Sequence, residues 1–141
     1  MKLAIDFATQ GDLNWIKQND HLKSENVVQK IDKKEYIVAK INNKPIGYLR
    51  FSLFWSEIPY IDIITVEDEH KRQGVGKAML DFLERYAIKN NIKVVMSSSQ
   101  QDEAQPQEWH RKMGFKDAGA IEHFQPIQDV PEIIFLKKLG E

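Results

Sequence analysis

Eight consecutive residues, His70-Lys71-Arg72-Gln73-Gly74-Val75-Gly76-Lys77, bring three permanent cations and two glycines to the start of an amphipathic run. Gly74 and Gly76 allow backbone conformations and close approaches that a Cβ would obstruct. The first N–H groups of a helix lack intrahelical partners. Such a loop offers unpaired donors, the positive end of a helix and the charges of Lys71, Arg72 and Lys77, a setting that suits the phosphates of a ligand. A Walker loop is excluded because Lys71 and Ala78 stand where it needs Gly and Ser or Thr. The dinucleotide fingerprint fails at its third glycine, where this chain has Met79. On its own the segment is also compatible with an ordinary glycine-containing turn between a strand and a helix.

The loop needs an element on each side. Tyr60 to Val66 is rich in β-branched residues and carries one charge, Asp62, which predicts a central strand buried on both faces. From Gly74 to about Asn91 two adjacent apolar stripes, Val75, Met79, Phe82, Tyr86 and Leu80, Leu83, Ala87, predict a helix packed on a sheet, with Asp81 and Arg85 paired four apart. Before these lie a strand at Leu3 to Phe7, a helix capped by Thr9 or Asp12 with Leu13, Ile16 and Leu22 inward, and a helix from Ser24, its cap, to Lys33. Glu35 to Ile41 and Ile46 to Trp55 then form a hairpin about Asn42-Asn43-Lys44-Pro45, with Gly47 marking a bulge or close approach. After the long helix, Lys93 to Ser98 is a strand that the intervening helix makes parallel to the central one. A helix opened by Pro106 and stopped by Gly114 follows, and Phe115 to Phe124 and Glu132 to Leu139 are the closing strands.

Val66, the seven-residue loop from Glu67 to Gln73, Gly74-Val75-Gly76 and the helix after them resemble the acetyl-CoA-binding segment of the GCN5-related N-acetyltransferase (GNAT) family. Lys71 stands where that family usually has Gln or Arg. About forty residues downstream, Trp109-His110-Arg111-Lys112-Met113-Gly114-Phe115 is similar to its second signature, an aromatic helix that ends in Gly-Phe. The resemblance implies one α+β (mixed α/β) domain over residues 1–141, with a mixed, mostly antiparallel sheet of about seven strands flanked by about four helices. It also implies that Lys71, Arg72, Gln73, Gly74, Val75, Gly76 and Lys77 hold the pyrophosphate of acetyl-CoA, and that the backbone at Ile64, Thr65 and Val66 runs beside the pantetheine arm.

Catalytic roles follow from the same resemblance. Asp62 shares a strand face with Tyr60, Ile64 and Val66, the side on which several family members place a carboxylate that deprotonates the amine. Apolar neighbours would raise its pKa, as suits a base; the plain alternative is an Asp that pairs with a Lys or faces water. His110 occupies the position of the family's frequent tyrosine acid, and an imidazolium could protonate the departing thiolate, although a partly buried histidine beside Trp109 needs no such role. Glu103 and Pro106 replace the family's frequent Asn and Ala, so no contact from that Asn carries over. Trp55, Glu57 and Tyr60 are the candidate acceptor residues, and Gln101-Asp102-Glu103 adds acid that would favour a cationic amine.

Composition narrows the function. The 141 residues are enough for one domain with a core. A net charge of −1 argues against broad attraction to nucleic acid or an anionic membrane. Without cysteine there is no disulfide and no thiol nucleophile, and His21, His70 and His123 lack ligand spacing, so no metal is expected. An acid at Asp6 interrupts any signal peptide and no apolar run is long enough to span a membrane, which reads as cytoplasmic. The expectation is therefore an acetyl-CoA-dependent N-acetyltransferase acting on a primary amine of a small molecule by direct attack. A protein or peptide acceptor, a non-catalytic CoA-binding or sensing module, and a structural interaction domain are the alternatives. The exposed C-terminal strand could pair two copies, which leaves a homodimer open.

Overall fold

The computed structural model describes residues 2–140. Seven strands, β1 (Leu3–Phe7), β2 (Tyr36–Ile41), β3 (Lys44–Phe54), β4 (Ile58–Val66), β5 (Val94–Gln100), β6 (Lys116–Ile121) and β7 (Glu132–Lys138), form one mixed sheet in the order β1-β2-β3-β4-β5-β7-β6. Four α-helices accompany it: α1 (Leu13–Asn19), α2 (Ser24–Asp32), α3 (Val75–Lys89) and α4 (Ala104–Lys112). β1–β2, β2–β3, β5–β7 and β6–β7 pair antiparallel, and β4 pairs parallel to β5 at Tyr60↔Met96. The mixed, mostly antiparallel α+β sheet expected from the resemblance is the observed one. By contact density the chain divides into two compact units, one of residues up to Phe51 with Ile63–Arg85, the other of Ser52–Asp62 with residues from Tyr86 on.

In the first unit the β2–β3 hairpin turns through Asn42 and Asn43, both left-handed (φ 51° and 66°), the pair a two-residue turn of matching twist requires. A bulge beside Gly47 leaves Ile46 unpaired as the partners pass from Ala39↔Gly47 to Lys40↔Pro45. A Cβ at Gly47 would sit 2.8 Å from the Thr65 carbonyl oxygen, so only glycine lets β4 come this close. Ile16, Val27 and Ile31 of α1 and α2 pack with Tyr36, Val38 and Tyr48, and Leu13, Trp15, Leu22 and Ile63 close over them. Each fully buried side chain of this size contributes roughly 1.5–3 kcal/mol. Within this unit, Asp20 is buried and accepts hydrogen bonds from Tyr36 Oη (2.7 Å) and Arg50 Nη1 (2.6 Å). Burial pushes its carboxyl up, but the hydrogen bonds from Tyr36 and Arg50 and the Arg50 charge outweigh that and hold it below the usual carboxylate value.

Several local expectations change. The N-cap of α2 is Lys23, and Ser24 is the first helical residue. Asp81 pairs with Lys77 at 2.9 Å, while the Arg85 guanidinium lies over the Phe82 ring, because Lys77 reaches the same carboxylate from the preceding turn. β4 starts two residues earlier than Tyr60, and only Pro59 and Ile61 on it are buried. Its other face, with Tyr60, Ile64 and Val66 half-buried and Asp62 exposed, is the open side, so burial on both faces does not hold. β7 is also not at the edge, since it enters between β5 and β6 and is satisfied on both sides. At that end of the sheet the edge strand is β6, all six of whose residues are exposed.

Candidate active site

In the first unit, β4 ends at Val66 and a short 3₁₀ turn, Asp68–His70, leads into the glycines. Arg72 (φ 63°) and Gly74 (φ 82°) are both left-handed, which folds the backbone back before α3 starts at Val75. A Cβ at Gly74 would meet no atom within 4 Å, so the residue is glycine for its backbone angle and the space before it is open. Val75 is buried and anchors the first turn of the helix, whose opening N–H groups lack intrahelical acceptors. Lys71 pairs with Asp68 at 2.9 Å and Lys77 with Asp81, both exposed. Among the described residues Arg72 makes no ion pair, which leaves its guanidinium for an anion. Gln73 Nε2 donates weakly to the Glu69 carbonyl at 3.4 Å. These features fit a pyrophosphate: a left-handed turn, a helix start and one uncommitted Arg.

In the second unit, Trp55 and Ser56 turn left-handed at the β3–β4 corner (φ 55° and 61°). Trp55 is 80% exposed and packs on Phe54, and Glu57 is exposed beside it. Tyr60 and Asp62 lie further along β4. Asp62 is exposed and accepts a hydrogen bond from Ser52 Oγ at 2.7 Å, so the apolar surroundings expected around this carboxylate are not there. The Tyr60 phenol is pushed up, first by burial and further by the charges of Glu132 and Asp62, against a hydrogen bond with Ser98.

His110, also in the second unit, is buried on α4. Its Nδ1 lies 2.7 Å from the Pro106 carbonyl, which only accepts, so Nδ1 carries the proton and donates. Nε2 lies 2.6 Å from Ser97 Oγ and, in the neutral ring, accepts the serine's hydrogen. The ring stacks on Phe135 (4.6 Å between centroids, planes 7° apart) and meets Trp109 and Phe115 edge-on. Burial, above all, and the nearby Arg111 charge push its pKa down against the Pro106 hydrogen bond, which favours the neutral ring. A neutral imidazole with both nitrogens engaged departs from the imidazolium donor anticipated for this position.

The profile of the acetyltransferase (GNAT) family matches residues 6–115. The chain belongs to this family. GNAT members are acetyltransferases that use acetyl-CoA. Comparison with curated proteins gives no match. Among solved structures the chain is similar to Ard1 from Thermoplasma volcanium (TM-score 0.84, 13% identity, all of both chains covered). It is also similar to the ribosomal-protein-S18-alanine N-acetyltransferase of Escherichia coli (TM-score 0.80, 17% identity, 99% of this chain and 96% of that one). A third similar structure is an aminoglycoside 6'-N-acetyltransferase complexed with coenzyme A (TM-score 0.78, 13% identity, 98% of each). At these identities the likeness establishes the GNAT fold.

Sequence reading missed three polar residues beside the candidate GNAT site residues of the second unit: Ser97, Ser98 and Glu132. Ser98 Oγ donates to Glu132 Oε2 at 2.6 Å, and Gln128 Nε2 donates to Glu132 Oε1 at 2.9 Å. The signal for Ser97 and Ser98 was the Ser97-Ser98-Ser99 run that follows Val94-Val95-Met96 in one strand; Glu132, opening β7, had none. Among the described residues no group of His, Cys, Asp or Glu is placed to hold a metal, and no helix is long and apolar enough to cross a membrane.

Proposed function

We propose that this GNAT chain transfers the acetyl group of acetyl-CoA directly to a primary amine of a small molecule in a ternary complex. The observation that carries the reading is the opening of α3, where a left-handed Gly74, a helix start and an Arg72 without an ion pair among the described residues suit a pyrophosphate. In the reaction the amine nitrogen attacks the thioester carbon, the C–N bond forms, the C–S bond breaks, and the proton lost by the amine is balanced by one gained at sulfur. Residues Lys71 to Lys77 hold the donor. The backbone of Ile64, Thr65 and Val66 lies along its pantetheine arm, and Asp62, in contact with solvent, removes the amine proton directly or through water. Trp55, Glu57 and Tyr60 face the acceptor. His110 serves this reading by position, tying α4 to β5 through Ser97, and the proton for sulfur comes from solvent.

A second reading, a CoA-binding module without turnover, is favoured by one observation: the position at which the family resemblance places an acid holds a buried, neutral histidine. Thiol release from acetyl-CoA, followed across polyamines, aminoglycosides, amino acids and peptides, separates the two. Amine-dependent release is the expected result. A thermal shift with CoA, worth about 2.7 kcal/mol at 100 times the dissociation constant, but no thiol with any amine, would leave only the second reading. No shift at all would remove both.

A further inference from the structure

Three strands of the second unit bring Tyr60, Ser98 and Glu132 to one face. Tyr60 is opposite Met96 across the parallel pair, Ser98 is two residues on, and Gln100 is opposite Glu132. Side chains alternate along a strand, so these three share the face turned away from His110, Ser97 and Phe135. Asp62, two residues after Tyr60, joins them about 7 Å along β4.

Glu132 differs from three other carboxylates of the chain that are partly or wholly withdrawn from water. Within the first unit, Asp12 has Lys40 at 2.8 Å, Asp20 has Arg50 at 2.6 Å and Glu35 has Lys30 at 2.8 Å. Glu132 is half-buried, and its hydrogen-bond donors, Ser98 Oγ and Gln128 Nε2, are both neutral. Among the described residues no cation reaches ion-pair distance of it. A carboxylate partly withdrawn from water is stabilised by a nearby cation. Dipoles that orient the group without neutralising it leave it ready for a cation from outside. The Tyr60 phenol, on the same face as Ser98, supplies an oxygen and a ring face on the side of that carboxylate, both suited to an ammonium.

We infer that Glu132, with Tyr60, binds a second, non-reacting ammonium group of the acceptor, so that the substrate is a diamine or polyamine. The inference rests on the acetyltransferase reading for the word substrate, but the binding it describes is measurable without turnover. Asp62 then serves the reacting nitrogen and Glu132 the distal one. An ammonium is preferred over a guanidinium because Ser98 and Gln128 already occupy one lone pair on each Glu132 oxygen, which leaves poor room for a bidentate fork.

The test is calorimetric titration of the CoA-loaded protein with 1,4-diaminobutane and with n-butylamine, which differ by one ammonium. The wild-type chain should bind the diamine at least tenfold more tightly. Glu132→Gln, which keeps the shape and removes the charge, should abolish that preference with CoA affinity unchanged. If Glu132→Gln lowers the melting temperature, Glu132→Asp provides the control, since it keeps the charge and should retain a preference. Equal affinity for the two amines in the wild type, or a preference that survives Glu132→Gln, would overturn the inference. Thiol release is read in parallel. Turnover of both amines without preference defeats this inference alone, and a Glu132-dependent preference without thiol release defeats the acetyltransferase reading alone.

Discussion

His110 Nε2 accepts a hydrogen bond from Ser97 Oγ at 2.6 Å, and the opposite nitrogen of the same ring is spent on the Pro106 carbonyl. This pair fixes the tautomer, joins α4 to β5 and makes the histidine a neutral core residue.

A measurable pH dependence follows. The folded-state pKa of His110 is lowered, so below the unfolded value near 6.5 the unfolded chain binds a proton that the folded chain refuses. Stability from this group is complete above that pH and is lost as pH falls through and below it, with a limiting slope of about 1.4 kcal/mol per pH unit. Thermal melts of the wild type between pH 7.5 and 5, a range set by that reference value of about 6.5, should show the decline. His110→Gln should flatten it. Ser97→Ala should cost about 1–3 kcal/mol by leaving Nε2 buried without a donor.

At the α3 opening, Arg72→Ala should weaken CoA binding by about 10- to 100-fold, the equivalent of roughly 1.5–3 kcal/mol for a charge-assisted hydrogen bond. Gly74→Ala should weaken it too, by a different route. Its φ of 82° costs a Cβ-bearing residue about 1–2 kcal/mol, although no atom stands in the way. Isothermal titration with CoA measures both, and unaltered affinity in Arg72→Ala would remove that side chain from the donor site.

Asp62→Asn isolates the proposed base. CoA affinity and melting temperature should stay near wild type, because the residue is exposed. Steady-state turnover with a responsive amine should fall by roughly 10²–10⁴-fold and recover at higher pH, where the free amine no longer needs a base. A loss of less than about fivefold would be too small for general base catalysis.

Two substitutions in the first unit probe its packing. Gly47→Ala places a Cβ 2.8 Å from the Thr65 carbonyl oxygen and should cost about 1–3 kcal/mol as the strand is forced away. Arg50→Met leaves the buried Asp20 carboxylate without its cation and should cost about 3–5 kcal/mol in urea unfolding.

The elements were legible because their signals are local. The period of the apolar residues marks α3, Asn42-Asn43 marks the hairpin turn, and Gly47 was read as a bulge or a close approach and is both. Less legible were features set by a partner distant in the chain. Nothing near Glu132 announces Ser98, thirty-four residues away. The Asp81 pairing is a different case, since Lys77 and Arg85 both lie four residues away and spacing alone does not select between them.

The sequence by itself determined the strand-loop-helix with its two glycines and the cations around it, because backbone angle and helix start depend on residues adjacent in the chain. Tertiary structure decided which face of β4 is open, that β7 lies inside the sheet, that burial lowers the His110 pKa, and that no cation among the described residues pairs with Glu132. Each of these depends on burial and on hydrogen-bond partners brought together across strands, and a one-dimensional pattern carries neither.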